Sequence, residues 1–246
     1  MELRVIGCWA PYPQTGEACS GYLIKEGKTT CLVDCGHGVM SCLGKHIDPF
    51  EINLVVISHF HPDHYVDLHA FRHLIRGGRL QGKSAGPVDL YIPDQPRDQF
   101  EYWQSVPEFT VYPIHPRQKV SHDELNIEFY PVSHPLPTYG LKCRAGKSSL
   151  FYSSDAAASD EMWENARETD ILLGEASFLA ADGELAHRLG HMTTSDLARG
   201  ALRARPGILV ATHLWPGFDR SVLFGEIQSV YSGQVIMAYC GLKISI

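Results

Sequence analysis

The chain has 246 residues, 44% of them hydrophobic, which is enough for the core of one large domain or two small ones. With 21 lysines and arginines against 28 aspartates and glutamates, the formal net charge is −7, which argues against an extended nucleic-acid surface. The N-terminus does not resemble a secretory signal, and no apolar run approaches the ~20 residues of a membrane span. We therefore expect a cytoplasmic protein without membrane association. The seven cysteines include no CxxC pair, so we expect free, mostly buried thiols.

Apolar runs of strand length recur along the chain, and most are rich in β-branched and aromatic residues. In chain order they lie at 3–7, 21–27, 29–36, 53–58, 88–93, 109–114, 126–133, 149–155, 170–175, 207–213 and 234–239. Helices are predicted near 38–46, 64–76, 96–104, 160–167, 193–204 and 219–231, the fifth opened by Thr193 or Thr194 as N-cap. Strands come in runs rather than in strict alternation with helices, and no linker divides the chain. We therefore expect an α/β (α+β) fold of stacked mixed sheets, in one domain spanning 1–246.

Four of the predicted strands end in the same way. In each, an apolar strand gives way to a serine or threonine and then to a good metal ligand, namely His59, His134, Asp155 or His213. Loops at one end of a rigid sheet scaffold commonly carry active sites. We therefore expect these four side chains to converge on one spot.

The first of these endings continues as HFHPDH, residues 59–64. His59 and His61 stand two apart, so in an extended segment they can chelate one ion, while Pro62 stiffens the turn that redirects Asp63 and His64. Three imidazoles and a carboxylate suit zinc or a similar divalent ion better than calcium or magnesium. Isolated histidines are more often structural or solvated, and we assign to that class His46, His69, His73, His115, His122 and His187.

Together with His134, Asp155 and His213, the HFHPDH motif resembles the metallo-β-lactamase superfamily over nearly the whole chain. TTCLVDCGHG resembles an early strand that in this family ends in an aspartate supporting the metal loop, here Asp34. DILLGEASF and GHMTTSDLARGA resemble motifs of the ribonuclease Z and phosphodiesterase branch. The resemblance implies a four-layer αβ/βα sandwich of two mixed β-sheets, with helices on the outer faces and a metal cleft at one edge.

The resemblance also implies a site for two divalent ions, most often zinc, with manganese as an alternative. The implied ligands of the first ion are His59, His61 and His134, and those of the second are Asp63, His64 and His213. Asp155 is implied to bridge the two ions. Such ions, roughly 3.5 to 4 Å apart, can share a hydroxide and clamp the attacking and leaving oxygens of a displacement. Asp63 is further implied to orient that hydroxide.

His191 lies just before a predicted helix N-terminus, where backbone N–H groups favour a bound anion. The resemblance implies that Glu175 pairs with His191 and keeps it protonated, so that His191 can stabilise phosphoryl charge or protonate the leaving oxygen. The alternatives are a solvated carboxylate at Glu175 and a helix-capping role for His191. A basic cluster of Arg72, Arg76, Arg79 and Lys83 is either a solvated face or a substrate-attracting surface.

These features predict a metal-dependent phosphodiesterase acting on a small anionic substrate, such as a cyclic nucleotide or a short oligonucleotide. Bacterial ribonuclease Z carries a long tRNA-binding arm between the counterparts of His134 and Asp155, and segment 135–154 is too short for one. A tRNA 3′ processing role is therefore not expected. The alternatives are a lactonase or thioester hydrolase, with Tyr139 or Tyr152 as oxyanion donor, and a non-catalytic metal-binding protein. Relatives in this branch are commonly dimers, so a homodimer is compatible with the resemblance.

Overall fold

Two seven-stranded β-sheets pack against each other in the computed structural model, which describes residues 1–83 and 86–246. The strands are β1 (Glu2–Gly7), β2 (Gly21–Glu26), β3 (Thr29–Val33), β4 (Leu54–Val56), β5 (Val88–Pro93), β6 (Phe109–Ile114), β7 (Lys119–His122), β8 (Leu125–Val132), β9 (Thr138–Ala145), β10 (Ser148–Tyr152), β11 (Ile171–Glu175), β12 (Ile208–Thr212), β13 (Val235–Met237) and β14 (Lys243–Ser245). The α-helices are α1 (Val39–Leu43), α2 (Pro62–Tyr65), α3 (Leu68–Leu80), α4 (Arg97–Gln104), α5 (Asp160–Asn165), α6 (Gly183–Leu189), α7 (Thr194–Ala204) and α8 (Arg220–Val230). Single 3₁₀ turns lie at Pro49–Glu51 and Ala180–Asp182.

Each sheet is partly parallel and partly antiparallel. The first has the order β14-β1-β2-β3-β4-β5-β6 and is parallel from β3 to β6, and the second has the order β13-β12-β11-β10-β9-β8-β7 and is parallel from β10 to β13. Parallel neighbours end at the same edge of a sheet, where open α/β sheets place their ligands. The loops after β3, β4, β10, β11 and β12 therefore lie at the edge of the predicted ligands. Strand β8, which precedes His134, ends at the same edge because β8 and β10 both run antiparallel to β9.

The inner core lies between the two sheets, and a second core lies beneath the helices of the first sheet. Leu54 and Val56 of β4 belong to the inner core, whereas Val55 of the same strand belongs to the outer core with Phe71 and Ile75 of α3. Because β4 is buried on both faces, its sequence is continuously apolar rather than alternating. Helices α5, α7 and α8 contact the second sheet. The predicted four-layer sandwich is thereby confirmed.

One predicted helix is in fact two. The segment predicted as helical near 64–76 forms α2 and α3, which are separated at Val66 and Asp67. The Asp67 backbone N–H donates to Cys35 O at 3.0 Å, and its carboxylate accepts the Met40 N–H at 3.0 Å. These contacts to the preceding loop end α2 and fix the start of α3 behind the HFHPDH motif.

Strands β7, β9 and β14 and helix α6 were not predicted from the sequence. Strand β9 reads as mixed because it contains Gly140 and Lys142, yet all but one of its residues are buried. The Lys142 ammonium reaches Asn165 O at 2.8 Å, which satisfies a buried charge. At Gly140 a Cβ would lie 2.9 Å from Tyr152 O, so only glycine fits there without displacement. Segment 135–154 is thus a compact β9–β10 hairpin.

The longest α-helix is α3, with 13 residues. Within residues 1–83 and 86–246, no helix combines the length and apolar character that crossing a membrane requires. All seven cysteines are free thiols, six of them buried and Cys240 half-buried, as expected.

Candidate active site

The first predicted ligand group converges at the ends of β4, β8 and β10. His61 Nδ1 lies 3.0 Å from His59 Nε2 and 3.1 Å from His134 Nε2, and His59 Nε2 lies 3.6 Å from Asp155 Oδ2. One atom from each of the four side chains falls within 4.8 Å of the others. His59 and Asp155 are buried, whereas His61 and His134 are partly exposed.

The second predicted group lies on the other side of Asp155. His64 Nε2 and His213 Nε2 are 3.1 Å apart, and Asp63 Oδ2 lies 3.4 Å from His213 Nε2. Asp155 Oδ1 lies 3.2 Å from His64 Nε2 and 3.1 Å from His213 Nε2. The two carboxylate oxygens of Asp155 thus face different ligand groups, which is the arrangement of a bridging carboxylate.

The donor set fits divalent metal ions of the zinc type. At Zn–N distances of 2.0–2.1 Å, a tetrahedral ion separates its donors by roughly 3.3 Å, close to the spacings seen here. Burial, with a further contribution from neighbouring imidazoles, lowers the pKa of His59 and His61, which favours the neutral, metal-binding form. Asp155 Oδ1 is buried and accepts no well-directed hydrogen bond from the described residues, so it lacks the partner that a cation would supply.

Asp34 holds the metal loop from behind. It follows β3, is fully buried, and its Oδ2 accepts from His64 Nδ1 at 2.8 Å and from the Tyr152 hydroxyl at 2.8 Å. Its Oδ1 accepts the Ser58 N–H at 2.8 Å, and the Ser58 hydroxyl donates to Oδ2 at 3.0 Å. Since Nδ1 of His64 is taken by Asp34, Nε2 is left to face the metal position. Asp34 thus contacts His64 directly, and the supporting role of Asp34 stays a prediction.

Each of the other candidate ligand histidines except His61 also has its second nitrogen close to a hydrogen-bond partner. His59 Nδ1 lies 3.1 Å from the Ser58 hydroxyl, and His134 Nδ1 donates to Gly190 O at 2.9 Å. His213 Nδ1 donates to the Ser177 hydroxyl at 2.8 Å. Sequence reasoning missed these partners. The role of Ser58 could have been inferred from the sequence, because it is one of the hydroxyl residues that directly precede a predicted ligand. Nothing in the sequence indicated the role of the Gly190 carbonyl.

Three residues at this edge have left-handed backbone conformations that side chains other than glycine rarely adopt. These are Asp34 with φ of 58°, Ser154 with φ of 54° and His213 with φ of 56°. Ser154 precedes Asp155, His213 is itself a candidate ligand, and Asp34 hydrogen-bonds the candidate ligand His64. Such conformations cost of order 1–3 kcal/mol each, and they persist where the surrounding structure over-determines them, commonly at functional sites.

Glu175 and His191 form a pair beside the second ligand group. His191 Nδ1 lies 3.1 Å from Glu175 Oε1 and 3.3 Å from Oε2, so its Nε2 is left free. Burial alone would lower the pKa of His191, but the charge and hydrogen bond of Glu175 outweigh it and raise the pKa to about 9. The alternative of a solvated carboxylate at Glu175 is wrong, since that side chain is fully buried.

Glu175 also connects His191 to the ligand His213. The Ser177 hydroxyl donates to Glu175 Oε2 at 2.5 Å while it accepts from His213, and the Ala156 N–H donates to Glu175 Oε1 at 2.7 Å. The alternative of His191 as the helix cap is also wrong, because Thr193 caps α7 through its hydroxyl and the Asp196 N–H. His191 is therefore free to face the cleft.

A cleft of about 300 Å³ opens over this constellation. Its polar lining is His61, Asp63, Asp155, Ser177, His191 and His213, and its apolar lining is Ala10, Pro11, Pro62, Phe178, Leu189 and Trp215. The volume is at the lower end of the ~300–1,000 Å³ typical of small-molecule sites. The candidate ligand side chains, the Glu175–His191 pair and the cleft thus occupy one continuous region.

Neither tyrosine considered as an oxyanion donor reaches the cleft. Tyr152 is buried and donates its hydroxyl to Asp34, and Tyr139 is not among the lining residues. The basic cluster after the metal loop also lies elsewhere. Arg72 donates to the Tyr102 hydroxyl at 2.6 Å and Arg79 to Pro107 O at 3.1 Å, which places this cluster against α4 rather than in the cleft.

The histidines assigned to structural roles lie outside the constellation. His187 Nε2 is 2.9 Å from Asp196, His122 Nδ1 is 3.1 Å from the Thr29 hydroxyl, and the His69 ring packs on Trp103. None of the six lines the cleft. These six histidines therefore lie apart from the predicted ligands.

A model of the β-lactamase superfamily domain matches residues 29–214. The chain belongs to the metallo-β-lactamase superfamily. It is 31% identical over 243 residues to the probable metallo-hydrolase YhfI of Bacillus subtilis (strain 168), an alignment covering 98% of each protein. The crystal structure of the metallo-β-lactamase fold protein YhfI superposes with a TM-score of 0.93 at 28% identity, covering 99% of this chain and 98% of that one.

The ribonuclease Z branch is also represented among the relatives. Ribonuclease Z of Nocardia farcinica is 25% identical over 296 aligned positions, covering 96% of this chain and 95% of that protein. The alignment is longer than the 246-residue chain, so that enzyme contains segments absent here. A diphosphatase of the PhnP family superposes with a TM-score of 0.79 at 18% identity, covering 100% of this chain and 97% of that one, and so shares the fold. The chain is thus a hydrolase of the metallo-β-lactamase superfamily with candidate metal-binding His/Asp clusters.

Proposed function

We propose that this protein is a metal-dependent phosphodiesterase that hydrolyses a small phosphodiester or nucleotide, with residues 1–246 acting as one domain. The observation that carries the proposal is the Glu175–His191 pair. His191 lines the same cleft as Asp155 and His213, and potential ligand atoms of these three side chains fall within 4.8 Å of one another. A cationic donor beside a metal centre matches the negative charge that develops on a phosphoryl group during displacement.

Two divalent ions, with zinc favoured and manganese the alternative, would be held by the seven ligand side chains and would supply Lewis acidity and a water of lowered pKa. Asp63 is one of the three side chains of the second ligand group and also lines the cleft, so its free oxygen can accept a hydrogen bond from the attacking water and orient it. His191 Nε2, left free by the bond of Nδ1 to Glu175, donates to the phosphoryl oxygen or to the leaving oxygen.

The buried contacts of Glu175 keep this geometry fixed. Glu175 is fully buried and accepts from His191, Ser177 and the Ala156 N–H, so its carboxylate is held in place. Ser177 connects it to His213, and a substitution at Glu175 therefore disturbs both the donor and the second ligand group. The short β9–β10 hairpin supplies no arm for tRNA, which favours a small substrate. Relatives named ribonuclease Z and PhnP-family diphosphatase support chemistry at phosphorus.

The proposal is tested by hydrolysis of bis-p-nitrophenyl phosphate with purified protein loaded with Zn²⁺ or Mn²⁺. We expect turnover that a chelator removes, that returns with metal, and that is lost in Asp155→Ala. Asp160→Asn changes a carboxylate at the exposed start of α5 and serves as the matched control with full turnover. No turnover by the metal-loaded wild type, or full turnover by Asp155→Ala, would refute the proposal.

A further inference from the structure

One wall of the cleft is aromatic and apolar. Beside the ligand side chains it consists of Pro11, Phe178, Leu189 and Trp215, and no lysine or arginine is found among the described lining residues. Trp215 is 37% exposed, while the other three tryptophans of the chain are buried. Exposing an indole to water forgoes the gain of burying it, so a tryptophan held open beside a hydrolytic centre needs an explanation.

Trp215 is held in place by the backbone of the metal site. It lies two residues after His213, and Leu214 pairs with the loop after β1 through Leu214 N to Cys8 O at 2.8 Å and Ala10 N to Leu214 O at 3.0 Å. Gly217 lies against the indole, since a Cβ there would be 2.9 Å from Trp215 Nε1. The indole position is thereby tied to the metal ligand rather than free to drift.

Aromatic rings connect the proposed proton donor to this wall. The His191 ring lies 5.9 Å from that of Phe178, and Phe178 lies 6.4 Å from Trp215. Tyr12, which is 51% exposed, contacts Trp215 edge-on at 6.2 Å with an interplanar angle of 75°. The row therefore runs from His191 through Phe178 and Trp215, which line the cleft, to the exposed ring of Tyr12 next to it.

We propose that Trp215, flanked by Tyr12, stacks the nucleobase of the substrate and so selects nucleotide phosphodiesters. The inference rests on the proposed function and specifies its substrate class. With no basic side chain on this wall, affinity for the part of the substrate that does not react has to come from apolar and ring contacts. A base is planar, uncharged and attached to the phosphate through a sugar, and base–aromatic stacking is strong while tolerating any base.

Binding tests the inference without any turnover, because Trp215 is the exposed tryptophan and its fluorescence reports a stacked ring. In metal-loaded protein, AMP is expected to quench the fluorescence and to bind about tenfold more tightly than ribose 5-phosphate. Trp215→Ala should remove both the quenching and the preference, and Trp215→Phe should restore most of the preference. Tyr239→Ala removes another exposed aromatic ring, one outside the cleft, and should leave both the quenching and the preference unchanged.

Equal affinities for AMP and ribose 5-phosphate, or an AMP preference that survives Trp215→Ala in folded protein, would overturn the inference. In turnover, the kcat/KM ratio of thymidine 5′-(p-nitrophenyl phosphate) to methyl p-nitrophenyl phosphate should fall about tenfold in Trp215→Ala. AMP stacking without hydrolysis of either diester would refute the proposed phosphodiesterase activity but would still support stacking of a nucleobase on Trp215. Hydrolysis of both diesters without a preference for AMP over ribose 5-phosphate would support the phosphodiesterase and refute base stacking by Trp215.

Discussion

The floor and the wall of the cleft are built in different ways. The floor consists of histidines and carboxylates at strand ends of both sheets, and their outward-facing nitrogens are held by buried groups such as Asp34, Ser177 and Gly190 O. The wall consists of Pro11, Phe178, Leu189 and Trp215, with Tyr12 in contact with Trp215, and the rings of Trp215 and Tyr12 are partly exposed. The difference suggests a division of labour in which a rigid floor performs the chemistry and the wall determines which substrate reaches it.

The largest effect is expected in the floor, at Asp155. Asp155→Ala removes the one carboxylate that faces both ligand groups, so we expect loss of about two bound metal ions per chain and of all measurable turnover. Mass spectrometry of the metal content after dialysis measures the loss directly. A variant that keeps both metals would show that the two groups bind independently and would contradict the bridging role.

The next effect is expected at His191. His191→Ala should lower kcat for a diester by about 10²–10⁴-fold, the usual contribution of a positioned proton donor, while the metal content stays that of the wild type. His187→Ala removes a surface histidine nearby and should leave kcat unchanged. A proportional fall in metal content and kcat would assign His191 to the metal site instead, since its ligand atom lies near those of Asp155 and His213.

A smaller effect is expected at Asp34, which contacts the candidate ligand His64 but does not line the cleft. Asp34→Asn weakens the acceptor that orients His64 and should reduce metal affinity about 10- to 100-fold, measured by competition with a chelator. Turnover should return when metal is supplied in excess, because no atom of Asp34 lines the cleft. Failure of excess metal to restore turnover in a folded variant would place Asp34 in the reaction itself.

The smallest effect is expected in the wall, at Gly217. Gly217→Ala displaces the Trp215 indole without deleting it, so we expect AMP affinity to fall about two- to fivefold, within the range of a partly lost stacking contact. Gly225→Ala lies on α8 where a Cβ meets nothing within 4 Å, and it serves as the control. Metal content should be that of the wild type in both variants.

The floor could be predicted from the sequence because its ligands follow a repeated local pattern. Each of His59, His134, Asp155 and His213 follows a strand and a small hydroxyl residue, and this pattern is visible in the chain. Strand ends at one edge of a sheet scaffold bring such side chains together. The roles of Ser177 and the Gly190 carbonyl could not be predicted, since each depends on a contact between segments distant in sequence. A single serine or backbone carbonyl leaves no periodic signal.

The wall and one central strand escaped prediction for related reasons. Trp215 and Tyr12 lie in loops about 200 positions apart, and only the folded chain brings their rings together. Strand β9 was hidden by Lys142, whose charge is satisfied by a carbonyl on α5. Tyr152, considered as an oxyanion donor from its position between two ligands, instead supports Asp34, because its side chain points into the core.

The central claim is that this metal centre acts on phosphodiesters through His191, and a comparison of two substrates tests it most directly. Metal-loaded wild type and His191→Ala are assayed with bis-p-nitrophenyl phosphate and with a homoserine lactone at equal enzyme concentration. We predict that the diester is the better substrate by kcat/KM and that its turnover falls at least about 100-fold in His191→Ala. A lactone hydrolysed faster than the diester, at a rate unchanged by His191→Ala, would contradict the account.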